Sequence, residues 1–247
     1  MQVEFVGLPG CGKSTVVAAL EQRLKARRYR VQGLRNAARA TMKTAQPKIG
    51  FLARRGERTS LYGALVWAQQ HPELFQWMFR LSQTDLVALL WGMEALSQQG
   101  ILMKHGDPAQ IILNDEGFLQ RFAWNFIESN APEDIAAISR LLDPDFLTVH
   151  ILLDPAASYE RSKLRRKGVP IGLKSADDAG TVAKFASYQT AIDKFVAARR
   201  AVGSRVFEVD GARDLETVLD EIEGCLLPCL PVPPPAPAPR KPKKLAE

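Results

Sequence analysis

The chain has 247 residues, 46% hydrophobic and 24% charged, which suits one soluble domain with a sizeable core, or one domain with appendages, and calls for no second catalytic domain. No uninterrupted apolar run approaches membrane-spanning length, and the first residues lead straight into a strand with no room for a signal peptide, so a cytoplasmic protein is expected. The formal charge of +6 is concentrated in the proline-rich segment PVPPPAPAPRKPKK through Arg240, Lys241, Lys243 and Lys244; the remainder is only mildly basic, which argues against a nucleic-acid binder.

Val3, Phe5 and Val6 form a short apolar run of buried-strand type. GLPGCGKST, Gly7 to Thr15, comes next and satisfies the G-x-x-x-x-G-K-[ST] pattern of a phosphate-binding loop. Val17, Leu20 and Leu24 then recur at helical spacing, and Arg27, Arg28 and Arg30 load that helix's C-terminal end with positive charge, where the macrodipole favours it. YRVQGLR reads as a second strand ending in Arg35. Residues 50 to 100 are helical in pattern; their aromatics Trp67, Phe75, Trp77, Phe79 and Trp91 read as core, in an insertion able to cover an acceptor.

AQIILNDEG is the third strand, ending in the carboxylates Asp115 and Glu116. A helix after Pro132 carries Ile135, Ile138 and Leu142, and LTVHILLD is a nearly continuous apolar fourth strand. Asp154 and Pro155 make an N-cap and first helical position, so AASYERSKLRRKG is predicted as a helix stopped by Gly168. KGVPIGLKSADD reads as a mobile loop. Val182, Phe185, Ile192 and Val196 mark a further helix, SRVFEVDG a last strand, and Asp214 caps a closing helix with Leu215, Val218, Leu219 and Ile222 on one face. The order β-α-β, helical insertion, β-α-β-α-α-β-α implies an α/β fold with a parallel sheet covered on both faces, its ligands at the carboxyl ends of the strands.

That arrangement dictates the chemistry. Gly7, Pro9, Gly10, Cys11, Gly12, Lys13, Ser14 and Thr15 form a nest of backbone N–H groups for a polyphosphate, Lys13 reaching the β/γ-phosphates and Ser14 ligating Mg²⁺. Of Asp115 and Glu116, one carboxylate can hold the metal, with Asp115 beside Ser14 as the expected metal pair. The other can accept a proton from an attacking hydroxyl; which of the two is the base stays open. Arg161 and Arg165, among Lys163, Arg166 and Lys167, are spaced to converge on an anion from a lid. His71, His105 and His150 are isolated and read as structural. The three cysteines indicate a reducing compartment, and Cys225 and Cys229 lack further metal ligands nearby.

Taken together, GLPGCGKST, VQGLR, IILNDEG, HILLDPAASYERSKLRRKG and VFEVDGARDLETV, in this order over residues 1–225, resemble the nucleoside and nucleotide kinase group of P-loop proteins. The layout is similar to thymidylate kinase and the deoxynucleoside kinases. The resemblance implies a P-loop three-layer sandwich with a five-stranded parallel sheet over residues 1–227, a helical insertion at about 50–100 and a lid at about 156–176. A disordered basic tail at 228–247 would complete the chain. It also implies ATP·Mg²⁺-dependent phosphoryl transfer to a nucleoside, nucleotide or related small acceptor, with Arg35 where thymidylate kinases bind the acceptor's phosphate. The third strand ends Asp115-Glu116-Gly117 where the family has Asp-Arg or Glu-Arg, and the next arginine is Arg121, taken as the second acceptor-binding candidate. No acid comes after the second strand where deoxynucleoside kinases keep their base. A partner-driven P-loop ATPase is the alternative; a homodimer and an acidic partner for the tail stay open.

Overall fold

The computed structural model describes residues 1–49, 56–73, 76, 86–125, 132–141 and 146–232. Strand β1 (Gln2–Val6) lies at the centre of a five-stranded sheet. It pairs in parallel with β3 (Ile111–Asn114) on one side and β4 (Leu147–Leu152) on the other, Val3 standing opposite Leu113 and Leu147. The three-residue β2 (Val31–Gly33) adds outside β3, and β5 (Val206–Asp210) outside β4, giving the order β2-β3-β1-β4-β5 with all pairs parallel. Strands buried on both faces need apolar residues throughout, which is why VEFV, IILN and LTVHIL are nearly continuous apolar runs.

Helices cover both faces. Helix α1 (Lys13–Ala26) leaves the loop after β1, and after β2 come α2 (Leu34–Ile49), α3 (Gly56–Gln70) and α4 (Leu86–His105). Helices α5 (Phe118–Asn125) and α6 (Pro132–Leu141) join β3 to β4, α7 (Pro155–Lys163) and α8 (Asp178–Ala201) join β4 to β5, and α9 (Leu215–Leu226) closes the domain. On one face α1 and α9 pack Leu20, Leu24, Leu219 and Ile222 against Val3, Phe5 and Val149; on the other, α5, α6 and α8 pack Phe122, Ile138, Phe185 and Phe195 over Val6. A third cluster sets Leu34, Ala37, Ala38 and Met42 of α2 against Ile101, Leu102 and Ile112. These are the three layers expected from the sequence.

The predicted caps form: the Asp154 carboxylate accepts from Ala156 N and Ala157 N at 2.9 and 3.0 Å, and Asp214 accepts from Thr217 N at 3.0 Å. Trp67 is buried, as expected of a core aromatic. Among the described residues no helix is long and apolar enough to cross a membrane.

Four local differences bear on the site. Helix α2 starts directly after Gly33, because Leu34, Ala38 and Met42 bury at helical spacing, so Arg35 sits in a helix's first turn instead of at a strand end. Two helices join β3 to β4 where one was expected; the extra one, α5, is only eight residues long. Helix α7 stops at Lys163, and the chain turns through Arg165 to Gly168, whose φ is +64°. Beyond it the segment expected to be mobile is anchored, with Val169 and Leu173 buried in the core and a 3₁₀ turn over Ile171–Leu173. At the C-terminal end, Cys229 and Leu230 still pack against the α1/α9 layer. Phe75, Trp77, Phe79, the Trp91 side chain, Leu142 and the tail from 233 onward lie outside the described residues.

Candidate functional site

The loop between β1 and α1 curls through positive φ at Gly7 (149°), Gly10 (90°) and Gly12 (99°), a path that only glycine follows without strain. Gly12 is the N-cap of α1 and no side chain caps that terminus, so its backbone donors point outward as an anion site. The loop is held from α7: Ser158 Oγ and Ser162 Oγ, both buried, donate to Pro9 O at 2.6 and 2.8 Å. Cys11 is also buried, and its Sγ accepts from Lys13 Nζ at 3.7 Å. Lys13 is folded back, its Nζ donating to Gly7 O at 2.6 Å and Leu8 O at 2.9 Å.

A cavity of about 610 Å³ opens above this loop. The sheet order explains its lining: β3 lies beside β1 on one side and β4 on the other, so the segments leaving the ends of these strands converge on the loop. From β3 come Asp115 and Glu116; from beyond β4 come Arg161 and Arg165; from α2 and α5 come Arg35 and Arg121. Pro9, Gly10, Gly12, Lys13, Ser14 and Thr15 line it, whereas Gly7 and Cys11 lie below its floor. Ser14 Oγ donates to Asp115 Oδ2 at 2.6 Å, so the hydroxyl and carboxylate expected to share a metal already meet. Arg161 Nη1 donates to Gly211 O at 2.9 Å, tying α7 to the loop after β5. Lys163 points elsewhere, paired with Glu160 at 2.6 Å. A separate cleft of about 470 Å³ lies between the ends of β4 and β5 and the start of α7; its Asp154 is occupied in capping α7 and its Asp210 by the Ala212 amide.

Four lining residues escaped the sequence reading: Glu94, Gln120, Trp124 and Tyr188. Glu94 of α4 lies 3.3 Å from Arg35 and 3.5 Å from Arg121, placing one carboxylate between the two acceptor candidates. Arg121 Nε also donates to Glu116 O at 3.1 Å. Trp124, one turn beyond Gln120 and Arg121, stands edge-on to Tyr188 with centroids 5.2 Å apart. The available signals were a lone acid in the apolar LVALLWGMEALSQQG, and polar residues spaced along a short helix directly after the paired carboxylates.

Beneath the cavity floor lies a polar group inside the core. Glu4 alternates with Val3 and Phe5, so it faces the α5/α8 layer, where it is fully buried. Its Oε1 accepts from Gln120 N at 3.0 Å, at the start of α5. Residue 117 must be glycine, since a Cβ there would lie 2.3 Å from Glu4 Cδ. Burial pushes the Glu4 carboxyl up to about 7, against the opposing pull of the Gln120, Leu119 and Phe118 backbone amides. Gln120 Oε1 in turn accepts from Gly7 N at 3.0 Å, and the Tyr188 hydroxyl, itself pushed up by burial, donates to Gln120 O at 2.8 Å.

No protein-family model and no curated protein sequence matches this chain. Solved structures do match it. The deoxyadenosine kinase from M. mycoides with bound dATP is similar over 92% of this chain and 100% of its own, with a TM-score of 0.50 and 14% identity. A second structure of that enzyme, with the products dCMP and a flexible dCDP bound, matches over 92% of this chain and 99% of its own, at the same TM-score of 0.50 and 14% identity. At that identity the likeness is one of fold: a five-stranded parallel sheet with helices on both faces.

Proposed function

We propose that the protein is an ATP-dependent kinase that transfers the γ-phosphoryl group of ATP to a hydroxyl of a small, nucleoside-like acceptor. One observation carries this reading: a single cavity joins Lys13 and Ser14 to Asp115 and Glu116, and continues to Arg35, Glu94 and Arg121. Lys13 exchanges its loop carbonyls for the β- and γ-phosphates, which the Gly10–Ser14 amides cradle. Ser14 and Asp115 fit a hard divalent cation as oxygen donors, and Mg²⁺ held there would supply neutralisation of the phosphate charge. That role occupies Asp115 and leaves Glu116 to take the acceptor's proton.

Arg161 and Arg165 neutralise the transferring group from the lid side, with the turn at 164–168 as the part of the lid that moves over it. At the acceptor end Arg35 and Arg121 are balanced by Glu94 and Glu116. An acceptor that brings its own phosphate would add uncompensated charge there, so a neutral alcohol is favoured. Trp124 offers a flat apolar wall for a planar ring. As a P-loop kinase acting on a small metabolite it is expected in the cytoplasm.

The test is ADP release from Mg·ATP against nucleosides, nucleoside monophosphates and sugars, with Lys13→Ala as the blank. Nucleosides are expected to stimulate release most, with the phosphorylated product visible by mass spectrometry. Release that ignores every acceptor would replace this reading with an ATPase.

A further inference from the structure

Gln120 sits where three parts of the molecule meet. Its backbone N–H donates to Glu4 Oε1 of β1 at 3.0 Å, and its side-chain carbonyl accepts from Gly7 N at 3.0 Å. Its side-chain amide donates to the Tyr188 hydroxyl of α8, which donates back to Gln120 O at 2.8 Å. The Gly7 carbonyl accepts from Lys13 Nζ at 2.6 Å, so a single residue, Gly7, links Gln120 through its N–H to the loop lysine through its C=O. Both Gln120 and Tyr188 are nearly buried, 7% and 2% exposed, and both line the cavity.

The physical case turns on the Gly7 peptide. With φ at 149° and no side chain, Gly7 has little local preference to hold its N–H in one direction, so its orientation depends on what that N–H donates to. The acceptor is an amide oxygen whose own NH₂ is held by a buried hydroxyl, in surroundings where an unmade hydrogen bond is costly. The amide therefore cannot rotate away from Gly7 without losing two bonds. Its neighbour Arg121 and, one turn on, Trp124 reach the acceptor end of the same cavity from the same short helix.

We propose that Gln120 is a positioning residue for the phosphate loop: it fixes the Gly7 peptide, and with it the position from which Lys13 reaches the phosphates. It also ties that position to α5, the helix that presents Arg121 and Trp124 to the acceptor. The proposal rests on the reading that the loop binds ATP.

The test uses the full chain carrying Gln120→Met, which keeps the volume and removes both side-chain hydrogen bonds. Mg·ATP affinity is measured by calorimetry, the ligand-free melting temperature by circular dichroism, and exchange of the Gly7 amide by NMR. The expected result is a folded variant whose melting temperature drops by several degrees for the Gly7 N–H left unpaired, Mg·ATP affinity about tenfold weaker, and a Gly7 amide that exchanges roughly tenfold faster while the β1 amides are unchanged. A folded variant that binds Mg·ATP as tightly as wild type overturns the proposal, since filling space would then be all that Gln120 does. If Gln120→Met does not fold, Tyr188→Phe decides the matter: it keeps the Gly7 contact but releases the far end of the amide. Binding about threefold weaker supports the proposal, and unchanged binding overturns it. A wild-type chain that binds no Mg·ATP overturns the kinase reading and this proposal with it, whereas wild-type binding matched by the variants overturns the proposal alone.

Discussion

Replacing Glu4 by glutamine should flatten part of the pH dependence of folding. Glu4 is fully buried and its carboxyl is raised from 4.5 to about 7. Between those values the folded chain holds a proton that the unfolded chain has released. The stabilisation from that proton is complete below pH 4.5, declines as pH rises, and is gone above about pH 7. A shift of this size corresponds to about 3 kcal/mol at roughly 1.4 kcal/mol per unit. Glu4→Gln keeps an oxygen for the Gln120 amide and has no proton to lose. The assay is urea unfolding of both chains at pH 5 and pH 8, compared as the difference between variant and wild type at each pH. The variant should gain about 2.5 kcal/mol relative to wild type on going from pH 5 to pH 8, whatever fixed cost the new amide carries. A difference that is the same at both pH values would refute the argument, and would mean that the first-turn amides of α5 hold Glu4 ionised at an ordinary pKa.

Three further outcomes can be checked. Ser14→Ala, which removes the hydroxyl 2.6 Å from Asp115 Oδ2, should raise the Mg²⁺ concentration for half-maximal ADP release roughly tenfold, read by metal titration. Glu94→Gln, which removes the charge between Arg35 and Arg121, should raise the acceptor KM several-fold and leave the ATP KM unchanged in steady-state kinetics, while equal shifts in both would count against Glu94 as an acceptor-end residue. Leu173→Ala empties a fully buried position in the segment after α7 and should cost about 2–4 kcal/mol in urea unfolding, whereas a cost near zero would mean that the segment is not anchored as described.

Much of the fold was legible in the chain because its carriers are local. Four-residue apolar runs, helical spacing of leucines, the Asp154-Pro155 cap and the glycines around Lys13 each act through neighbours a few residues away, so pattern alone places the five strands, the phosphate loop and most helices. Strand order is encoded less directly, but a phosphate loop after the first strand, and carboxylates after the third, already bring Ser14 and Asp115 to one end of a parallel sheet. Helix α5 was missed because eight residues give too few turns for a period to show.

What only the tertiary structure decided is which distant residues meet. Glu4 looks like the polar half of an alternating strand until the sheet is covered on both sides and α5 sets its first-turn amides against it. Glu94 is one acid in an apolar helix until α4 packs beside α2 and α5 and brings it between Arg35 and Arg121. Residues 4, 7, 120 and 188 form one hydrogen-bonded group that reaches the cavity wall through Gln120 and Tyr188, although 116 positions separate Glu4 from Gln120 and 68 separate Gln120 from Tyr188. No local preference encodes such pairings. They exist because burying the helices' apolar faces on the sheet leaves each enclosed polar group a single place to find its partner.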